Sequence, residues 1–169
     1  MSNYISNFRA KISGGSLKNE NDVLTAFKSL NKIPGGLSIL SKIVSRVAPY
    51  FQTVDPIIES LDTRTCSAKM KKRRSVENHI GTVHVIAICN GLEFVMGVLA
   101  EASVPSHLRW LPKGMQVNYL AKADSDIKLT ATIDKDWAVG DLDIKVQAHR
   151  IDGVLVVDGV IKLWVTNKN

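Results

Sequence analysis

Aromatic side chains make up only 6% of the 169 residues, and no aromatic motif interleaves with the basic ones. The stacking platforms of nucleic-acid binders are therefore missing, and no nucleic-acid partner is expected. Cysteine is as scarce. Cys66 and Cys89 are the only two, both among apolar neighbours, and no Cys-x-x-Cys or Cys/His spacing offers a zinc site. No metal is expected, and the setting is predicted to be reducing and cytosolic. Met1 to Ser16 holds no continuous apolar core of the kind a secretory signal needs. The most apolar stretch, Val83 to Ala100, is interrupted by His84, Asn90 and Glu93, which makes it too polar for a membrane span. Gly-x-Gly-x-x-Gly, P-loop, Gly-x-Ser-x-Gly and His-Glu-x-x-His patterns are all absent, which removes the commonest nucleotide-binding, serine-hydrolase and zinc-protease readings.

What is present fits one packed domain. Hydrophobic residues are 45% and charged residues 22% of a chain long enough for one core and short for two. The formal charge of +6 suits a polyanionic partner, such as anionic lipid or the phosphates of a coenzyme. The polar start, with Ser13-Gly14-Gly15-Ser16, reads as a peripheral arm. Residues 1–34 are assigned to a polar arm and short helix, and residues 35–169 to the main domain. Val23, Phe27 and Leu30 recur at helical spacing from Asp22. Leu37, Leu40, Val44 and Val47 repeat the pattern until Pro49, which lacks an amide hydrogen and ends the helix.

Ile57 to Lys71 reads as one long strand, with a bulge near Leu61 to keep both halves facing a core. A charged loop from Lys72 to Gly81 and the apolar helix follow. Met115, Val117, Tyr119 and Ala121 line one face of the next strand, and Ile127, Leu129, Ala131 and Ile133 one face of another, both predicted half-buried. Asp152-Gly153 is a two-residue hairpin signal that fixes the register of its flanks. It sets Ala148 opposite Val157, Val146 opposite Gly159, Ile144 opposite Ile161 and Leu142 opposite Leu163, one apolar face throughout. On the other face His149 is set opposite Val156. The layout is α+β, a sheet with one apolar side curled around a long helix that is apolar nearly all round.

Within that helix, predicted over Val83 to Glu101, Asn90, Glu93 and Gly97 form one polar or small lane at i, i+3 and i+7. A carboxylate buried there loses several kcal/mol of hydration, roughly, unless it is paired or protonated. Glu93 is therefore a candidate for chemistry with a raised pKa, and the alternative is a paired structural acid or a rim residue. The helix begins near His84, where the first backbone amides have no internal partner and suit an oxyanion; Val85 supplies the candidate amide. Val85 and Glu93 stand about 12 Å apart along the axis.

The run Asn78-x-x-Gly81-x-x-His84 with an acid at Glu93 resembles the signature of the hotdog-fold thioesterases. There Asn or Gln precedes a His-Gly-Gly helix start by six residues and an acid follows by nine. The resemblance continues through Trp110-Leu111-Pro112-Lys113-Gly114-Met115 and Tyr119-Leu120-Ala121-Lys122-Ala123, covering about Ala48 to Val165. It is strongest to a branch known only as a domain of unknown function related to the phenylacetate-pathway thioesterases. The resemblance implies a hotdog fold, a curved antiparallel sheet wrapped around the central helix, here with N-terminal helices added. It implies an acyl-CoA thioesterase in which Glu93 is base or nucleophile, the Val85 amide is the oxyanion donor, Asn78 orients thioester or water, and His84 shapes the turn. It also implies a homodimer with sites between subunits, able to pair into a tetramer. Val85 and Ile86 stand where the signature has two glycines, and Pro112 falls near the place where many relatives carry Ser or Thr.

Gly81 and Asn90 are candidate substrate contacts beside these. Lys71, Lys72, Arg73 and Arg74, helped by Lys113 and Lys122, could hold the phosphates of coenzyme A or the acidic surface of an acyl-carrier protein; a solvated turn is the plainer reading. The coenzyme A thioester is substrate, and no cofactor is expected. A hydroxyacyl-thioester dehydratase and a non-catalytic binder of acyl-CoA or lipid are the rival functions. The spacing from His84 to Glu93 disfavours the first, and the missing glycines motivate the second. His79, His107 and His149 read as surface residues, and Trp110, Trp137 and Trp164 as packing or dimer contacts.

Overall fold

Apolar side chains at every third or fourth position fold the first described segment into two helices. The computed structural model describes residues 22–168, so the predicted polar arm, up to residue 21, lies outside the described residues. Helix α1 (Asp22–Leu30) buries Val23, Leu24 and Phe27, and α2 (Gly36–Val47) buries Leu40 and Val44. Pro49 ends α2 as predicted and opens a short 3-10 turn, Pro49–Thr53.

The long strand predicted from Ile57 to Lys71 is instead a hairpin of β1 (Ile57–Leu61) and β2 (Thr65–Met70). Asp62 makes the turn. Its Oδ1 accepts the amides of Arg64 at 2.6 Å and Thr65 at 2.7 Å, the carboxylate version of a backbone turn, which needs no glycine. Burial pushes this carboxyl up, but the hydrogen bonds from Arg64 and Thr65 outweigh it and hold it below the usual range. The bulge expected near Leu61 falls between Ile58 and Ser60.

Helix α3 (Val85–Ser103) follows, then β3 (Leu108–Tyr119), β4 (Ile127–Thr132), β5 (Gly140–Arg150) and β6 (Leu155–Asn167). The six strands form one curved antiparallel sheet in the order β1-β2-β4-β5-β6-β3. The four pairs expected on the apolar face of β5–β6 are all present, Ala148↔Val157 to Leu142↔Leu163. The turn differs. Arg150 and Val154 bracket a three-residue loop whose Gly153 takes φ 87, and a compensating bulge sets His149 opposite Leu155 rather than Val156. A type I turn closed by a left-handed glycine gives this geometry.

Helix α3 lies chiefly on β4, flanked by β2 and β5. Leu92, Phe94, Val95 and Leu99 are fully buried, each worth about 1.5–3 kcal/mol of transfer free energy. The helix is long and apolar enough to cross a membrane, contrary to the expectation from its three polar interruptions. Its burial under the sheet makes it a core helix.

One stripe of α3 stays uncovered. Ile86 is 56% exposed, Glu93 is exposed, and Cys89 and Gly97 are half-buried between them. The face predicted half-buried on β3 is also largely open, with Met115 37% and Tyr119 62% exposed, and Ala121 falls beyond the strand. The cause is topological: β3 is the sheet edge, with no described strand beyond it.

Candidate active site

The loop before α3 is built around one asparagine. Asn78 Oδ1 accepts the amides of Ile80 and Thr82, both at 3.1 Å, and its Nδ2 donates to Thr82 Oγ1 at 2.8 Å. Gly81, at φ 77, lets the chain double back so that its amide meets the Asn78 carbonyl at 3.1 Å. An amide group carries two N–H donors, so one Nδ2 hydrogen of Asn78 has no acceptor among the described residues.

His84 caps the helix. Its Nδ1 accepts from the Ile86 amide at 3.1 Å, which in the neutral ring leaves the proton on Nε2. Its carbonyl takes the amides of Ala87 and Ile88 at 2.9 and 3.2 Å. The amides of Val83 and His84 are spent on Ala123 and Val76, both at 2.8 Å. The Val85 amide alone among these has no acceptor among the described residues. It opens on a cleft of about 540 Å³ that also borders Asn78, His84, Ile88, Tyr119 and Lys122. The arrangement offers oxyanion donors at the positive end of a helix dipole.

Glu93 does not share that cleft. It is exposed on the single chain, so the burial expected of it is absent. A helix apolar on nearly every side does not tell which side the sheet leaves open. Asn90 is likewise misassigned to the lane. It is buried, and its Nδ2 donates to the Tyr50 carbonyl at 3.3 Å and Thr53 Oγ1 at 2.9 Å, so it anchors the 3-10 turn to the core. The buried acid of α3 is Glu101, one the sequence reading passed over because it lies at the predicted helix end. It is 8% exposed, and Oε1 accepts from the Trp110 indole at 3.0 Å.

Much of the basic run is engaged within the chain. Lys72 pairs with Glu77 at 2.8 Å, Arg74 approaches the same carboxylate at 3.8 Å, and Arg73 donates to the Thr53 carbonyl at 3.0 Å. The hydrogen bond from Lys72 holds the Glu77 carboxyl below its ordinary range. Lys71 and Arg74 keep exposed heads. Lys113 pairs with Asp141 at 2.8 Å and lies over the Trp164 ring. Trp164 sits between the inward residues Leu163 and Val165, so Lys113 is held on the sheet face away from α3. Lys122, named only as a helper, lines the cleft. Burial pushes both cysteine thiols up, leaving neither a reactive thiolate. Among the described residues no three of His, Cys, Asp and Glu are grouped to hold a metal.

Residues 36–165 match the family described as a domain of unknown function, DUF4442. No curated protein matches the sequence. A structural-genomics crystal structure is 35% identical and superposes with a TM-score of 0.75, over 86% of this chain and 98% of its own. A probable thioesterase of unknown function from Pseudomonas aeruginosa is 19% identical, with a TM-score of 0.68 over 80% and 97%. A thioesterase family protein from Silicibacter pomeroyi is 17% identical, with a TM-score of 0.66 over 76% and 96%. At such identities the last two speak for the fold alone. A helix wrapped by an antiparallel sheet in this strand order is the hotdog fold, and the match across residues 36–165 shows that the chain belongs to the DUF4442 family, a domain of unknown function.

Proposed function

We propose that the protein is a cytoplasmic acyl-CoA thioester hydrolase that works as a homodimer. The observation that carries this reading is the Val85 amide, without an acceptor among the described residues, at a cleft shared with Asn78 on the helix whose open stripe holds Glu93. The Val85 amide and the remaining Asn78 Nδ2 hydrogen would hold the thioester oxygen as it becomes an oxyanion. Glu93 would take a proton from water as the water oxygen attacks the carbonyl carbon. Collapse of the tetrahedral intermediate would expel the thiolate, which recovers that proton as coenzyme A. The exposed heads of Lys71, Arg74 and Lys122 suit the coenzyme phosphates.

A second copy answers two features of the single chain. The separation of Val85 and Glu93, about 12 Å along the axis, is closed if one chain supplies the amide and the other the acid. Pairing of β3 edges would also cover Ile86, Met115 and Tyr119 and bury Glu93. The test is release of free thiol from a panel of acyl-CoA and acyl-carrier thioesters. Glu93→Ala is expected to lower kcat by about 10²–10⁴-fold, and equal rates for variant and wild type would end this reading. The side chains of Val85 and Ile86, standing where glycines would give open backbone access, favour one rival, a non-catalytic acyl-CoA binder. Thermal stabilisation by acyl-CoA without turnover would select it.

A further inference from the structure

The open stripe of α3 runs from Ile86 past Cys89 and Glu93 to Gly97, and there a bulky side chain from another element meets it. A Cβ built at Gly97 would lie 3.9 Å from Cη2 of Trp110. Trp110 stands opposite the buried Val165 in the β3–β6 ladder, which turns its ring toward the helix. Its indole N–H donates to Glu101, one turn beyond Gly97, at 3.0 Å. On a half-buried ring the indole N–H is satisfied by this bond, which fixes the plane of the ring across the end of the stripe. Position 97 carries no side chain to intervene between Glu93 and that ring. Strand β3 runs opposite to α3, so that Tyr119 borders the cleft at the helix start and Trp110 stands near the helix end.

We infer that Trp110 is the end wall of the acyl-binding groove and sets the longest acyl group the protein accepts. The acyl chain leaves the thioester beside Glu93, passes over Gly97 and stops against the indole. This rests on the thioesterase reading above. One helical turn from Glu93 to Gly97 advances about 6 Å, room for roughly five further carbons of an extended chain with ~1.5 Å bonds. The substrate class is therefore short acyl thioesters, of about six carbons or fewer. Glu101 is a positioning residue that acts through the indole.

The test compares wild type, Trp110→Ala, Trp110→Phe and Gly97→Leu on straight-chain acyl-CoAs from acetyl to palmitoyl, followed by thiol release. Wild-type kcat/KM is expected to fall about tenfold or more between hexanoyl and decanoyl, and Trp110→Ala to raise the decanoyl-to-butyryl ratio by a similar factor. Phenylalanine keeps most of the wall, so Trp110→Phe moves that ratio by less than about threefold. Gly97→Leu fills the groove from the helix side and cuts the hexanoyl-to-acetyl ratio about tenfold. It also guards against an alanine variant that fails to fold. If wild type hydrolyses the series and all variants share its chain-length profile, the end wall is overturned and the thioesterase reading stands. If wild type hydrolyses none, non-hydrolysable thioether analogues of the same lengths are titrated by calorimetry. A Kd profile extended to longer chains by Trp110→Ala sustains the wall in a binding protein, and no binding overturns both readings.

Discussion

A methyl group at Gly159 would lie 2.2 Å from the Gln116 carbonyl oxygen and 2.8 Å from both Cα and Cγ1 of Val117. The first two of these atoms are backbone of β3, held to β6 on either side by the pairs Met115↔Ile161 and Tyr119↔Val157. No rotamer change makes room, so the strands must part. Overpacking typically costs about 1–3 kcal/mol, and a ladder hydrogen bond lost on parting adds ~1 kcal/mol. Gly159→Ala is therefore expected to cost about 3–4 kcal/mol, the upper end because backbone must move. At ~2–4 °C per kcal/mol for a domain of this size, Tm falls by roughly 6–16 °C. Gly97→Ala is the matched control. Its Cβ would meet only the Trp110 ring edge at 3.9 Å, an ordinary contact, and alanine's helix preference stabilises by about 0.5–1 kcal/mol. Scanning calorimetry of the two variants beside wild type decides the matter. A Gly159→Ala protein that melts within ~1 °C of wild type refutes the close approach of β6 to β3, and with it the register that turns Trp110 toward the helix.

Asn90→Ala removes the tie to Tyr50 and Thr53 and should lower stability by about 1–2 kcal/mol, read by urea unfolding. If Asn90 served substrate instead, KM would change and stability would not. Acid unfolding has a defined sign. The Asp62 carboxyl is held low, burial being outweighed by the hydrogen bonds from Arg64 and Thr65, and that of Asp126 by the Lys72 amide first and by Lys69. Both groups therefore stabilise the fold above their unfolded value of about 3.9, and the stabilisation is lost as pH falls below it. Tm should hold between neutrality and about pH 5 with respect to these groups and drop below about pH 4. Asp62→Asn keeps the turn acceptor and should flatten part of that drop; an unchanged acid limb would count against it. Met115→Asp places charge on the open inner face of β3 and should convert a dimer to a monomer by sedimentation equilibrium; an unchanged mass would show that β3 is not the contact.

The sequence disclosed the parts of the fold governed by strict periodicity. In β5 and β6, alternation along both strands leaves one register that buries Leu142, Ile144, Val146 and Ala148 together, because a slip by one residue would expose all four. The β1–β2 turn escaped because Asp62-Thr63-Arg64 contains neither glycine nor proline, and the turn depends on a carboxylate accepting two amides. Around the site, the features local in sequence were legible: Asn78, Gly81, His84 and Val85 lie within one loop and one helix start. Features set by distant segments were not. Asn90 is claimed by the 3-10 turn, and Glu93 lies on the side of α3 that the rest of the fold leaves exposed. Glu101 acquires its partner from a strand whose inward face only the pairing with β6 reveals.

The two margins of the sheet are unlike. At β1 the strand is five residues long and kinked by its bulge, and the Ile58 amide is already taken by Ser41 Oγ of α2 at 2.9 Å. At β3, twelve residues long, no described strand pairs on the outer side. Among the described residues β3 is thus the less obstructed margin for hydrogen-bonded growth. Pairing of two such margins would be isologous and self-limiting, and the obstruction at β1 works against the head-to-tail propagation that leads to filaments.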